Sequence, residues 1–148
     1  MKICDFGLTT YSISGTATSF SVMSIGAQAC TRQYASPERL RGGRRSYRDD
    51  LYAFGMLLFF LATSREPFND LDADSQVAAV KADQRPDLSE WVWRQSGGEW
   101  QRAAIEFAAL AQRCWHPDPR SRPEGGFEEV YSELSRMLWP PMTPPPLE

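Results

Sequence analysis

Apolar and polar positions along the chain divide it into segments of different periodicity. The longest apolar run is Leu51 to Ala62, with Asp49 and Asp50 before it. Acidic residues at the start favour a helix, because they face the positive end of its dipole. The pattern predicts a helix over Leu51–Thr63 whose apolar residues fall on every face, and such a helix must be buried all round. Pro67 and Phe68 follow, and proline prevents continuation. A second helix is predicted over Asp74–Asp83, with Val77, Val80 and the intervening alanines on one side, ended by Arg85-Pro86. A Trp-rich stretch (Trp91, Trp93, Trp100) leads to a third helix, about Gln101 to Trp115, with Ile105, Ala108, Ala111 and Trp115 at helical spacing. The stretch 116–123 holds three prolines and reads as a rigid loop. A last helix, Phe127 to Leu138, carries Phe127, Val130, Tyr131, Leu134 and Leu138 inward.

The flanks are different. Residues 2–8 read as a short strand entering a tight turn at Gly7. Nine Ser or Thr residues lie within Thr9–Ser24, which marks a long hydroxyl-rich loop. Order returns near Thr31–Glu38, and Leu40 to Arg48 is Arg- and Gly-rich surface loop. After Trp139 five prolines in the last nine residues predict an extended, disordered tail over 139–148.

Composition narrows the function. The 148 residues suffice for one domain, and 42% apolar with 24% charged side chains excludes a disordered or collagen-like chain. A net charge of −3 gives no field to attract nucleic acid or an anionic membrane, so neither is an expected partner. Cys4, Cys30 and Cys114 cannot all pair, which favours reduced thiols in an intracellular, cytoplasmic protein over one disulfide with a spare thiol. Met1-Lys2-Ile3-Cys4-Asp5, with an acid at position five and no long apolar stretch, is not expected to be a secretory leader, and the Leu51–Ala62 run is too short for a bilayer, which needs about 20 residues.

Five landmarks follow one another in order: Asp5-Phe6-Gly7, Ser36-Pro37-Glu38, Asp50-Leu51-Tyr52-Ala53-Phe54-Gly55, Cys114-Trp115, and Pro119 with Arg122-Pro123. Together they resemble the C-terminal lobe of a eukaryotic-type protein kinase. The resemblance covers residues 1–138 and implies a mainly α fold, the C-terminal part of an α+β catalytic domain that starts at Asp-Phe-Gly. Residues 5–38 would be its activation segment and 49–138 its helical lobe. Arg85-Pro86 and the Cys-Trp pair look like the tyrosine-kinase-like and tyrosine kinase groups. Ser replaces the usual Ala at position 36, and Cys30 stands where glycine is common.

The resemblance implies roles. Asp5 would hold magnesium with ATP, since a hard carboxylate is the ligand that ion prefers. Phe6 would report state by packing in or out, and Gly7 would act as hinge. Thr31 resembles a substrate-site threonine of serine/threonine kinases; a plain loop threonine is the alternative. Glu38 and Arg122 would meet as an ion pair, and Asp50 would accept bonds from a catalytic loop. Thr9, Thr10, Ser12, Ser14, Thr16, Thr18, Ser19, Ser21 and Ser24 are candidate phosphorylation sites, against the alternative of a soluble spacer.

Other chemistry is weaker. Arg39, Arg41, Arg44, Arg45 and Arg48 lack interleaved aromatics except Tyr47, so they read as a solvated loop. His116, the one histidine, has only Cys114 and Asp118 near it in sequence, which does not make a zinc site. The 148 residues contain no glycine-rich phosphate loop, no His-Arg-Asp, and two lysines, Lys2 and Lys81, neither suitably placed. The chain is therefore expected to be inactive alone, the C-terminal portion of a serine/threonine kinase that acts on protein substrates. The alternative is a non-catalytic, pseudokinase-like module that binds a protein partner. Without a preceding portion to cover them, Leu57, Leu58, Phe59 and Phe60 are expected to leave an apolar patch and an aggregation-prone or partly molten chain.

Overall fold

A computed structural model describes residues 32–98 and 100–138. Six helices follow in order: α1 (Pro37–Leu40), α2 (Tyr47–Thr63), α3 (Ala73–Lys81), α4 (Ser89–Arg94), α5 (Gln101–Cys114) and α6 (Gly126–Leu138), with 3-10 turns at Arg32–Tyr34 and Pro119–Ser121. Among the described residues there is no strand, and the architecture is mainly α as expected. The expected N-terminal strand, the Asp5-Phe6-Gly7 landmark, the Thr9–Ser24 loop, Thr31, Cys4, Cys30 and the proline-rich tail lie outside the described residues.

Helix α2 is the axis. It begins at Tyr47, upstream of the expected start, because Ser46 and Asp49 form a capping box. The Ser46 amide donates to Asp49 Oδ2 at 2.7 Å, and the Ser46 hydroxyl accepts from the Arg48 amide. The expected 40–48 surface loop thereby shrinks to residues 41–46. At its other end α2 stops at Ser64, whose left-handed φ of 56° turns the chain before Pro67 is reached.

Packing is closest between α2 and α5. Leu51, Tyr52, Met56, Leu58 and Phe59 of α2 meet Ala108, Leu110, Ala111 and Cys114 of α5 and Trp115 beyond it in one core. Gly55 makes that approach feasible: a Cβ there would lie 2.9 Å from the Trp115 amide nitrogen and 3.1 Å from the Ala111 carbonyl oxygen. Helix α6 adds Val130 and Met137.

Several expected core positions are corrected. Ile105, Phe127 and Tyr131 are exposed, while Val130 is buried as expected and Leu110 and Met137 take the other buried places. Helical spacing was read correctly, but the buried stripe of each helix is set by where its neighbours lie. Nor is α2 buried all round. Leu57, Phe60 and Leu61 form an exposed stripe, whereas Leu58 and Phe59, expected in the patch, face the core. The Trp-rich stretch contains α4, too short for a periodicity to show; Trp91 packs on Phe107 with ring centroids 5.5 Å apart, and Trp93 stays exposed.

Candidate functional site

The segment Ser36-Pro37-Glu38 lies against the start of α2. Ser36 caps α1, accepting from the Arg39 amide at 3.3 Å, and Pro37 occupies the first helical turn, where a missing N–H costs nothing. The Ser36 hydroxyl also donates to Asp49 Oδ1 at 2.5 Å. Serine at this position thus ties the segment to the α2 capping box, a bond that alanine could not make.

Glu38, in the first turn of α1, reaches Arg122 in the loop before α6. Arg122 Nη1 donates to Glu38 Oε1 at 2.6 Å and Nη2 to Oε2 at 2.9 Å, a two-pronged pair across 84 positions of sequence. The arginine side chain is fully buried and the glutamate side chain 23% exposed. Two carbonyls complete the arrangement: Arg122 Nη1 donates to Arg48 O at 2.7 Å and Nε to His116 O at 2.9 Å. A buried guanidinium is tolerable because its donors are matched in this way. Burial tends to raise the Glu38 carboxyl, but the hydrogen bond and charge of Arg122 outweigh it and hold the carboxyl below its ordinary value.

Neighbouring groups brace the pair. The Arg48 guanidinium donates to Pro119 O at 2.7 Å, fastening the first turn of α2 to the loop that carries Arg122. The Gly43 amide donates to Glu38 O at 2.7 Å, where a Cβ on Gly43 would collide. The Arg122 guanidinium lies over the Tyr52 ring, 5.1 Å from its centroid. Arg48, expected in a solvated loop, is instead part of this brace; the sequence offers no signal for the His116 carbonyl, and for Tyr52 only its place within the Asp50–Gly55 landmark.

The other expected residues are placed as follows. Asp50 is exposed in the first turn of α2. Partial desolvation and the adjacent Asp49 raise its carboxyl, and Arg45 opposes them. The arginine-rich loop is partly structural, with Arg39 donating to Gly43 O and Arg41 to Lys81 O. His116 Nδ1 meets the Asp118 backbone, and among the described residues no group of three His, Cys, Asp or Glu could hold a metal ion. Cys114 is buried as a free thiol, and its pKa is pushed up to about 12 by burial. No helix among the described residues is long and apolar enough to cross a membrane. Chemically the arrangement is a clamp: it fixes the end of one segment to the helical body, and it holds no general base.

Comparison with known proteins agrees in one direction. Residues 1–134 match the family described as "Protein kinase domain". A probable serine/threonine-protein kinase of Dictyostelium discoideum is 32% identical over 93% of this chain and 13% of its own length. The serine/threonine-protein kinase CTR1 of Arabidopsis thaliana is 30% identical over 99% of this chain and 16% of its own. Receptor-interacting serine/threonine-protein kinase 4 of Mus musculus is 31% identical over 95% of this chain and 17% of its own. The chain thus spans less than a fifth of each of these relatives.

Proposed function

Because the chain belongs to the protein kinase family, we propose that it is the C-terminal portion of an ATP- and magnesium-dependent serine/threonine kinase of the tyrosine-kinase-like group. Residues 5–38 form its activation segment and 49–138 its helical lobe, with 139–148 an appended tail. The observation that carries this reading is the buried two-pronged bond between Glu38 and Arg122. It anchors the end of the expected activation segment, which is where a protein substrate would rest. The serine/threonine kinase relatives support the same substrate class.

Asp5 is the magnesium ligand in this reading, with Phe6 and Gly7 beside it. A single hard carboxylate suits magnesium, which usually takes one or two carboxylates together with phosphate oxygens. When bound, magnesium–ATP supplies the phosphoryl group. Thr31 contacts the substrate site, Glu38, Asp50 and Arg122 hold the lobe in shape, and the hydroxyls of Thr9–Ser24 are the sites at which phosphorylation regulates it. The phosphate clamp and catalytic base are not among the 148 residues, so the chain alone transfers no phosphate. The place of action is inside the cell.

The test is to read the coding sequence upstream of the Met1 codon and express the frame found there. A frame with a glycine-rich loop, a strand lysine and His-Arg-Asp, whose product phosphorylates a serine/threonine peptide and loses that activity on Asp5→Ala, supports the reading. Turnover by the 148-residue chain itself above its Asp5→Ala control refutes the predicted inactivity. A second reading, a non-catalytic module that binds a protein partner, is favoured by the exposed Leu57-Phe60-Leu61 stripe and gains if no such frame exists.

A further inference from the structure

Arg85 is a largely buried cation that the Glu38–Arg122 clamp does not itself use. Its side chain is 11% exposed, and it donates to three carbonyls at the junction of two helices: Trp115 O through Nε at 2.9 Å, and Gln84 O and Val80 O through Nη1 at 2.5 and 3.4 Å. Those carbonyls belong to the C-terminal ends of α5 and α3. Helix α3 closes there with the Gln84 amide on Ala79 O and the Asp83 amide on Val80 O, and with Asp83 at a left-handed φ of 59°. Asp83 stands 3.9 Å from Arg85 Nη2.

The Arg85 guanidinium also lies over the Tyr52 ring, 5.2 Å from its centroid, and Arg122 lies over the same ring at 5.1 Å. Two cations this close repel in a desolvated setting. The negative face of the ring attracts both, and so the ring position and the two guanidinium positions depend on one another. Tyr52 is fully buried, while its hydroxyl has no hydrogen-bond partner among the described residues. The ring therefore carries the connection, and the hydroxyl adds nothing to it. The Glu38 contact is sensitive to such a constraint, because two parallel N–H···O bonds require the guanidinium and carboxylate to share a plane.

We propose that Arg85 is a positioning residue for the Glu38–Arg122 clamp, acting through the Tyr52 ring, so that the C-terminal turn of α3 and the Ser36–Glu38 segment open as one unit. The link reaches the clamp from a helix end that Glu38 does not touch. It goes beyond the phosphotransfer reading and needs no activity, so failure of either leaves the other standing.

The test uses the 148-residue chain with Cys4→Ser and Cys30→Ser, which leaves Cys114 as the one thiol. Cys114 is fully buried, so its reaction with a disulfide reagent reports opening of the fold. Rates are measured for Arg85→Met, Glu38→Gln and the double variant, and again with Tyr52→Phe and with Tyr52→Leu. The expected result is that Glu38→Gln accelerates labelling at least about threefold less when Arg85 is already Met, as for residues in one network. That difference survives Tyr52→Phe and vanishes with Tyr52→Leu. An Arg85 with a merely structural role would raise the rate without changing the effect of Glu38→Gln. Independent effects of the two substitutions overturn the proposal, as does a difference that persists with Tyr52→Leu. Wild-type labelling as fast as in urea also overturns it, since the stack is then not formed. Should Arg85→Met react at the urea rate, the same osmolyte is added to every sample to bring the series back into range; Arg85→Lys, which keeps a cation near the ring, is then expected to retain part of the difference, and its complete loss counts against the ring as the link.

Discussion

Glu38→Ala removes two of the four acceptors around Arg122, the most deeply buried charge among the described residues. Arg122 keeps two carbonyl partners, Arg48 O and His116 O, and so is stranded only in part. Breaking a buried pair from one side costs about 3–5 kcal/mol, and those surviving bonds place Glu38→Ala at the lower end, about 3 kcal/mol. Arg122→Ala is expected nearer the upper end. It unpairs the two carbonyls, and it leaves a void beneath Tyr52, whose ring the guanidinium covered. Glu38 is then left without its partner but is 23% exposed and can turn toward water. The two substitutions remove one shared interaction, so the double variant should cost about 2 kcal/mol less than their sum. In the single-thiol background, Glu38→Ala should speed Cys114 labelling by about two orders of magnitude, since 1.4 kcal/mol is a factor of ten. Burial puts the Cys114 pKa at about 12, so the closed state presents almost no thiolate and the reaction proceeds through opening. Additive costs, or a Glu38→Ala variant that labels within about twofold of wild type, would refute the claim that the clamp is a buried, desolvated pair.

Further expectations follow from particular contacts. Glu38 has a depressed carboxyl in the fold, so its stabilisation is complete above the unfolded value of about 4.3 and is lost as pH falls through the lower folded value; Glu38→Gln should remove that acid-side loss from a pH series of Cys114 labelling. Asp50 has the opposite sign in the 148-residue chain, which holds no His-Arg-Asp loop for it to accept bonds from: its raised carboxyl disfavours the ionised fold, so Asp50→Asn should slow labelling or leave it unchanged at neutral pH, and a clear acceleration would contradict the environment described. Gly55→Ala drives a Cβ against the backbone of Ala111 and Trp115 and should destabilise by about 1–3 kcal/mol, with unchanged labelling as the refuting result. Leu57→Glu with Leu61→Lys alters two exposed residues and should lower light scattering of the concentrated chain without faster labelling; persistent aggregation would place its source elsewhere.

What was local in the chain was legible in its residues. The helices α2, α3, α5 and α6 announced themselves by apolar spacing, with ends within a few residues of those observed, because a helix closes its bonds over four positions. The early start of α2 was also written locally, in Ser46 and Asp49, but a pair of acids next to an apolar run drew the boundary inward. Helix α4, six residues long, has too few turns for a period to emerge. The Glu38 and Arg122 landmarks could be expected to meet from the resemblance; the depth at which Arg122 is buried and its two carbonyl partners could not. Arg85-Pro86 was visible as a landmark, yet nothing in its neighbourhood pointed to a tyrosine 33 positions earlier. Only the crossing of α2 and α5, with the loops it brings alongside, decided which side of each helix became core and put two arginines over one ring. Periodicity sets the phase of a stripe, and burial requires a second surface to meet it.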